Sequence, residues 1–251
     1  MTLSTGVPYL FYSVATGVFS FASLGQILLL AGAASFWFVI VGRRTWTDLL
    51  YLALMAAPVL LKVFKDIYAD PFPRLQLFVL GILMWYRTGL LAVLSIRKME
   101  GINFGFVPGR KDWAVGIRNF VYFLPLGLCL GWWLDFFSVR PSTGWMLPVL
   151  LVGTFVVTLW VLATAEEFFF RGLLQQVLTK ISGSEWVGLF AASIIFGLAH
   201  LWYRQFPNWK FVLLATCAGL FYGRAYIQAR SIRAAMVTHA LVVTVWKVFL
   251  V

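Results

Sequence analysis

One apolar run in the sequence, residues 146–165, contains no charged side chain and is followed at once by Glu166, Glu167, three phenylalanines and Arg171. About 20 apolar residues in a row are enough for a helix to cross the hydrocarbon core of a bilayer. A charged side chain near the bilayer centre costs about 2.5 to 3.5 kcal/mol on insertion scales, so charged residues there are usually functional. The run therefore predicts a membrane helix that carries a site with two carboxylates and one guanidinium group.

The composition agrees with a membrane protein, because 62% of the residues are hydrophobic and only 12% are charged. Soluble domains average about 25% charged residues. The mean hydropathy is +0.89. We expect an all-α fold, a polytopic membrane bundle of about eight transmembrane helices. The apolar segments that predict these helices are residues 21–42, 48–64, 75–96, 119–137, 146–176, 186–203, 209–227 and 231–250.

The net charge of +11 comes from basic residues that are dispersed between the apolar segments. A nucleic-acid site would gather them on one face, so we expect no nucleic-acid partner and read them as contacts to lipid headgroups. We number the connections between the predicted helices from the amino terminus. The odd-numbered connections hold roughly twice as many Lys and Arg residues as the even-numbered ones, and Arg74 and Arg140 belong to the even-numbered group. The positive-inside rule then places the odd-numbered connections in the cytoplasm. We expect a multi-pass protein of a bacterial or archaeal cytoplasmic membrane.

The two glutamates occupy different faces of their predicted helix. Glu167 and Arg171 are four residues apart and share a face, so they can form an ion pair inside the bundle. Glu166 is rotated by about 100° from Glu167 and points elsewhere. A carboxylate in an apolar setting with no cation of its own suits a general base. The plainer alternative is a helix end whose charges reach the headgroups.

The chain has two histidines, His200 and His239, and both fall inside apolar segments. A helical hairpin that turns around residues 181–185 returns His200 to the depth of Glu166. His239 lies eight residues after Ser231, or about 12 Å along a helix. We therefore expect the three side chains to share one pocket, where two imidazoles and a carboxylate could position and deprotonate a water. A lone histidine on an apolar face is otherwise most often a core residue.

Three motifs in this order resemble the CPBP family of intramembrane proteases, which includes CAAX proteases and bacteriocin-processing enzymes and is also called Abi. The motifs are Glu166-Glu167-x-x-x-Arg171, Phe196-x-x-x-His200, and His239 after Gly219-x-x-x-Gly223 and Ser231. The resemblance covers about residues 110 to 245. It implies N-terminal membrane helices over residues 1–109 and a catalytic core over residues 110–251, together one integral-membrane unit.

The resemblance implies an intramembrane endopeptidase that cleaves a membrane-anchored or lipidated peptide, such as a CAAX-like or carboxyl-terminal sorting signal. Glu166 would activate water together with His200. Glu167 would pair with Arg171, and His239 would stabilise the oxyanion. Phe196, one turn before His200, belongs to the second motif as a supporting residue.

The resemblance leaves the metal dependence open, because both metal-dependent and metal-free mechanisms are argued for the family. If a metal is present, its ligands would be Glu166, His200 and His239. Zinc is possible with such a set, although the sequence lacks the His-Glu-x-x-His helix typical of zinc peptidases.

One residue departs from the family pattern. The family has Asn or Asp four residues after the third-motif histidine, whereas this chain has Val243. The resemblance implies that this polar residue completes the oxyanion or ligand shell, and a valine can do neither. The departure motivates an alternative, a non-catalytic membrane adaptor or chaperone that retains the family fold. A third possibility is a small transporter that uses Glu166 and Arg87 as intramembrane charges.

Overall fold

The computed structural model describes residues 2–69, 76–139 and 144–250. Arg74 and Arg140, which contribute to the predicted orientation, lie outside these ranges. The described residues fold into helices joined by loops and turns, with no strand beyond an isolated bridge between Val139 and Leu250. This confirms the prediction of an all-α fold. The chain forms two compact units, of which the first ends at Met99 and the second begins at Glu100.

The first unit contains two long apolar helices and several shorter ones. Its helices are α1 (Thr2–Thr5), α2 (Val7–Ala15), α3 (Phe21–Ile40), α4 (Thr45–Leu60), α5 (Val63–Ile67) and α6 (Phe78–Arg97). Asp48 is buried and accepts two hydrogen bonds from Arg97, at 2.7 and 3.0 Å. Arg87, considered above as a transport residue, is exposed on α6 and donates to Ser4 at 2.9 Å.

The second unit contains all the residues of the three motifs. Its helices are α7 (Arg110–Trp133), α8 (Leu147–Ser182), α9 (Glu185–Leu198), α10 (Trp209–Ala229) and α11 (Ile232–Phe249). Side chains of Ser184, Asn208 and Ser231 cap the amino ends of α9, α10 and α11. Because a side-chain oxygen there satisfies a free backbone N–H, these residues define where each helix begins.

Helix α8 does not keep a regular α-helical backbone. Its hydrogen bonding widens to π-helical turns over Thr158–Ala163 and Phe168–Gln175, and the regular turn between them is Thr164–Glu167. Wide turns of this kind inside α-helices are frequently found at functional sites. The two glutamates therefore lie in a short regular turn between two widened segments.

Five helices of the described chain are long and apolar enough to cross a membrane. They are Phe21–Ile40, Phe78–Arg97, Arg110–Trp133, Leu147–Ser182 and Ile232–Phe249. Two shorter apolar helices are Thr45–Leu60 and Glu185–Leu198. The chain is thus an all-helical membrane protein with five candidate spans, where the sequence predicted about eight.

Glycines allow α10 to approach its neighbours closely. A Cβ atom on Gly219 would lie 3.2 Å from Nη2 of Arg171 and 3.2 Å from Cβ of Ser193. A Cβ atom on Gly223 would collide with the side chain of Leu189. The Gly-x-x-x-Gly pair thus packs α10 against α9 and against the guanidinium group of α8, as such pairs do between membrane helices.

Candidate active site

Glu167 lies at the centre of a buried network of charged and polar groups. Its side chain and that of Arg171 are 0% exposed. Arg171 contacts the carboxylate with Nη1 at 3.2 Å from Oε1 and with Nε at 3.2 Å from Oε2. Nδ1 of His239 lies 2.7 Å from Oε1 of the same carboxylate. Glu167 therefore joins α8 to α11 and accepts hydrogen bonds from both Arg171 and His239.

The guanidinium group of Arg171 is enclosed by protein. Its Nη2 donates to the backbone oxygen of Gly219 at 3.0 Å. Its central carbon lies 4.6 Å from the ring centroid of Phe196 and 5.2 Å from that of Tyr222. Cation–π contacts gain strength when the cation is desolvated. The charge on Glu167 is thus balanced by a fully buried cation with its own polar and aromatic contacts.

Glu166 points away from this network, as its rotation on the helix predicts. Its side chain is 21% exposed, and its Oε2 is buried with no hydrogen-bond partner among the described residues. The nearest charged contact is Nε2 of His239, at 3.9 Å from Oε2, which exceeds hydrogen-bond length. A buried polar atom without a partner is rare in folded proteins and is often part of a functional site.

The hydrogen bond to Glu167 determines which nitrogen of His239 carries a proton. A carboxylate paired with an arginine is ionised and only accepts hydrogen bonds, so Nδ1 of His239 carries the hydrogen and donates it. In the neutral ring, Nε2 then bears a lone pair on the side of Glu166. The ring itself is 3% exposed and stacks on Tyr222, with centroids 4.6 Å apart.

His200 follows the end of α9 and has the same tautomer for a similar reason. Its Nδ1 lies 2.8 Å from the backbone oxygen of Phe196 and donates to it, since a carbonyl oxygen only accepts. The ring packs against Phe196 at 4.7 Å and against Phe211 at 5.2 Å. Nε2 of the neutral ring is left as a hydrogen-bond acceptor.

Glu166, His200 and His239 all line one cavity of about 360 Å³ in the second unit. The remaining lining is mostly apolar and aromatic, and it continues along α11 past Val243 to Lys247. Ligand sites are typically apolar cavities with a few polar groups that converge. The predicted residues therefore share one pocket, and Phe196 lies in its wall. Their catalytic roles stay predictions.

Val243 lines the cavity without a polar group to offer. The hydroxyl of its neighbour Thr244 is buried and donates to the backbone oxygen of Ala240 at 2.6 Å. Neither residue can therefore replace the Asn or Asp of the family pattern.

Two features of the site were not predicted from the sequence. The bond between Glu167 and His239 joins residues on separate helices, and no spacing rule connects them. Tyr222 is the second, since an aromatic residue in an apolar helix is ordinarily core. Its position three residues after Gly219, on the helix with the small-residue pair, is the one available signal.

The residues present do not fit a metal centre. Across the described ranges, no group of three or more His, Cys, Asp or Glu side chains is arranged to hold a metal ion.

The fold and the site define a polytopic membrane protein with a buried carboxylate and histidine centre on an apolar cavity. Residues 147–245 match the family model described as "Type II CAAX prenyl endopeptidase Rce1-like". This match to an Rce1-like family of proteases confirms the resemblance drawn from the motifs. No curated protein and no solved structure matches the chain.

Proposed function

We propose that the protein is an intramembrane endopeptidase that hydrolyses a peptide bond of a membrane-anchored or prenylated peptide. The observation that carries the proposal is a carboxylate oxygen of Glu166, on an apolar cavity, that no described residue bonds. The second carboxylate, Glu167, already has its charge balanced by Arg171. One acid is structural and the other is free to take a proton. The name of the matched family supports a peptide substrate that carries a lipid.

In the proposed reaction, a water molecule donates one hydrogen bond to Glu166 and the other to Nε2 of His200. Both groups are acceptors in the states described above, so together they orient the oxygen lone pair of the water towards the substrate. Glu166 takes the proton as the water attacks the carbonyl carbon and later returns it to the leaving nitrogen. His239, held by Glu167, faces the developing oxyanion and can donate from Nε2 only in its doubly protonated form.

We also propose that the protein crosses the membrane about eight times. The two shorter apolar helices and α10 would then be spans in addition to the five long ones. The proposal also includes a cytoplasmic location of the odd-numbered connections and a bacterial or archaeal cytoplasmic membrane. The supporting observation is the excess of Lys and Arg in those connections.

Replacing Glu166 tests the proposal directly. The full-length protein in proteoliposomes is given a fluorogenic prenylated peptide with three residues after the prenylated cysteine. Glu166→Gln keeps the shape and removes the base, so we expect turnover to fall by about 10² to 10⁴-fold, the usual contribution of a general base. Glu185→Gln is the matched control, because Glu185 pairs with Arg230 on the exposed surface. Wild-type turnover in Glu166→Gln would rule out the assignment.

The second candidate is a membrane adaptor or chaperone that retains the fold, and the position of Val243 in the cavity wall favours it. An adaptor would bind the prenylated peptide without cleaving it. Mass spectrometry of the peptide after incubation separates the two functions. Intact peptide with wild-type protein, together with saturable binding, would support the adaptor.

A further inference from the structure

Tyr222 on α10 lines the cavity, and its hydroxyl takes no part in the reaction above. The side chain is 2% exposed, and its ring stacks on the imidazole of His239 at an interplanar angle of 11°. It also meets the ring of Phe196, with centroids 5.9 Å apart. Together with the guanidinium contact of Arg171, these neighbours hold the ring in one position.

The hydroxyl of Tyr222 is an uncommitted donor. It makes no hydrogen bond within the described part of the chain, and it is not among the polar atoms that are sealed off without a partner. Tyr222 lines the same cavity as Glu166 and His239. A phenol keeps its proton at neutral pH and can donate it in a hydrogen bond. The lining of this cavity therefore contains both an O–H donor and the proposed base.

Other donors for an oxyanion are scarce at this position. Val243 has none, and Thr244 is committed to Ala240. Nδ1 of His239 is committed to Glu167, so the neutral ring offers only a lone pair on Nε2. Amide hydrolysis nevertheless places a negative charge on the carbonyl oxygen, and donors aimed at that charge are usually the largest single catalytic contribution.

We propose that Tyr222 is a catalytic residue that supplies the oxyanion donor in place of the family's Asn or Asp, an inference that rests on the proposed function. The water oxygen bonds to the carbonyl carbon, its proton moves to Glu166, and the carbonyl electron pair moves to oxygen. The Tyr222 hydroxyl donates a hydrogen bond to that oxygen and keeps its proton. When the C–N bond breaks, the C=O bond forms again and the nitrogen leaves with the proton from Glu166.

Tyr222→Phe removes the hydroxyl and keeps the ring on His239. We expect kcat for the prenylated peptide to fall by about 10² to 10³-fold, as when other oxyanion donors are removed. KM should change by less than about threefold, because the bond forms only in the transition state. Tyr226→Phe is the matched control on the same helix. Its hydroxyl donates to the backbone oxygen of Gly101 outside the cavity, so its kcat should stay close to wild type.

A second substitution separates catalysis from packing. Val243→Asn in the Tyr222→Phe protein provides a donor from α11. We expect turnover of the double variant to be at least about tenfold higher than that of Tyr222→Phe. A double variant no more active than Tyr222→Phe would assign the tyrosine a packing role. Near wild-type turnover in Tyr222→Phe would overturn the inference as well. If Glu166→Gln is inactive at the same time, the proposed function stands and only the role of Tyr222 fails.

Binding tests the inference if the wild-type protein cleaves none of the peptide. A phosphinate in place of the scissile amide mimics the tetrahedral oxyanion. Tyr222→Phe should bind this phosphinate peptide about tenfold more weakly and the parent peptide equally well. Equal losses for both peptides, or no loss for either, would contradict the proposed hydrogen bond.

Discussion

At the scale of single residues, the two adjacent glutamates have different environments and therefore different expected sensitivities. Glu167 is 0% exposed and contacts Arg171 and His239, whereas Glu166 lines the cavity with an oxygen that has no partner in the described ranges. Removing a partner of a buried charge leaves that charge uncompensated, which destabilises more than the pair itself stabilises. Stability should thus depend on Glu167 and Arg171, and turnover on Glu166.

Arg171→Met should lower the free energy of unfolding by about 3 to 5 kcal/mol, because it leaves the charge of the Glu167 carboxylate buried without its cation. Thermal unfolding of the detergent-purified protein measures the change. Glu167→Leu combined with Arg171→Met removes both charges and should recover part of the stability, while turnover stays low because His239 has lost its acceptor. An Arg171→Met protein as stable as wild type would contradict the buried pair.

Val243→Asn in the otherwise wild-type protein adds a polar group one turn after His239. If the cavity hosts hydrolysis, the added donor should raise kcat by up to about tenfold, a fraction of what a native oxyanion donor supplies. Steady-state cleavage of the prenylated peptide measures it. Val149→Asn, on the exposed surface of α8, is a control for the polar substitution itself. An equal change of kcat in both variants would show that the effect does not come from a donor in the cavity.

At the scale of helices, the position of the site depends on how closely α10 packs. Gly219 and Gly223 leave no room for a side chain against Arg171, Ser193 and Leu189. The widened turns of α8 on both sides of Thr164–Glu167 also determine the position of the site, because they set the direction in which the glutamates point.

Gly219→Val should destabilise the protein by about 1 to 3 kcal/mol, the usual cost of overpacking, and should reduce turnover because it displaces the guanidinium group. Melting temperature and peptide cleavage are measured together. Gly153→Val is the matched control, since a Cβ atom on Gly153 of α8 has nothing within 4 Å. Similar losses in both variants would show that helix propensity, rather than close packing, is responsible.

At the scale of the whole molecule, the distribution of basic residues predicts the orientation in the membrane. Residue 100 lies in the third connection and residue 205 in the sixth, so they should face opposite sides. Single cysteines at Glu100 and Gln205 can be labelled in intact cells once Cys129 and Cys217 are replaced. A membrane-impermeant maleimide should label the Gln205→Cys protein and should reach the Glu100→Cys protein only after permeabilisation. The opposite pattern would reverse the predicted topology.

The sequence by itself determined the all-helical membrane class, the motif residues and the ion pair between Glu167 and Arg171. These follow from local rules, because hydropathy and helical spacing depend only on nearby residues. Only the tertiary structure decided that Glu167 also holds His239, that Oε2 of Glu166 has no partner among the described residues, and that Tyr222 lines the cavity. Those facts depend on how separate helices pack, where a close approach permitted by two glycines brings together side chains that no sequence interval relates.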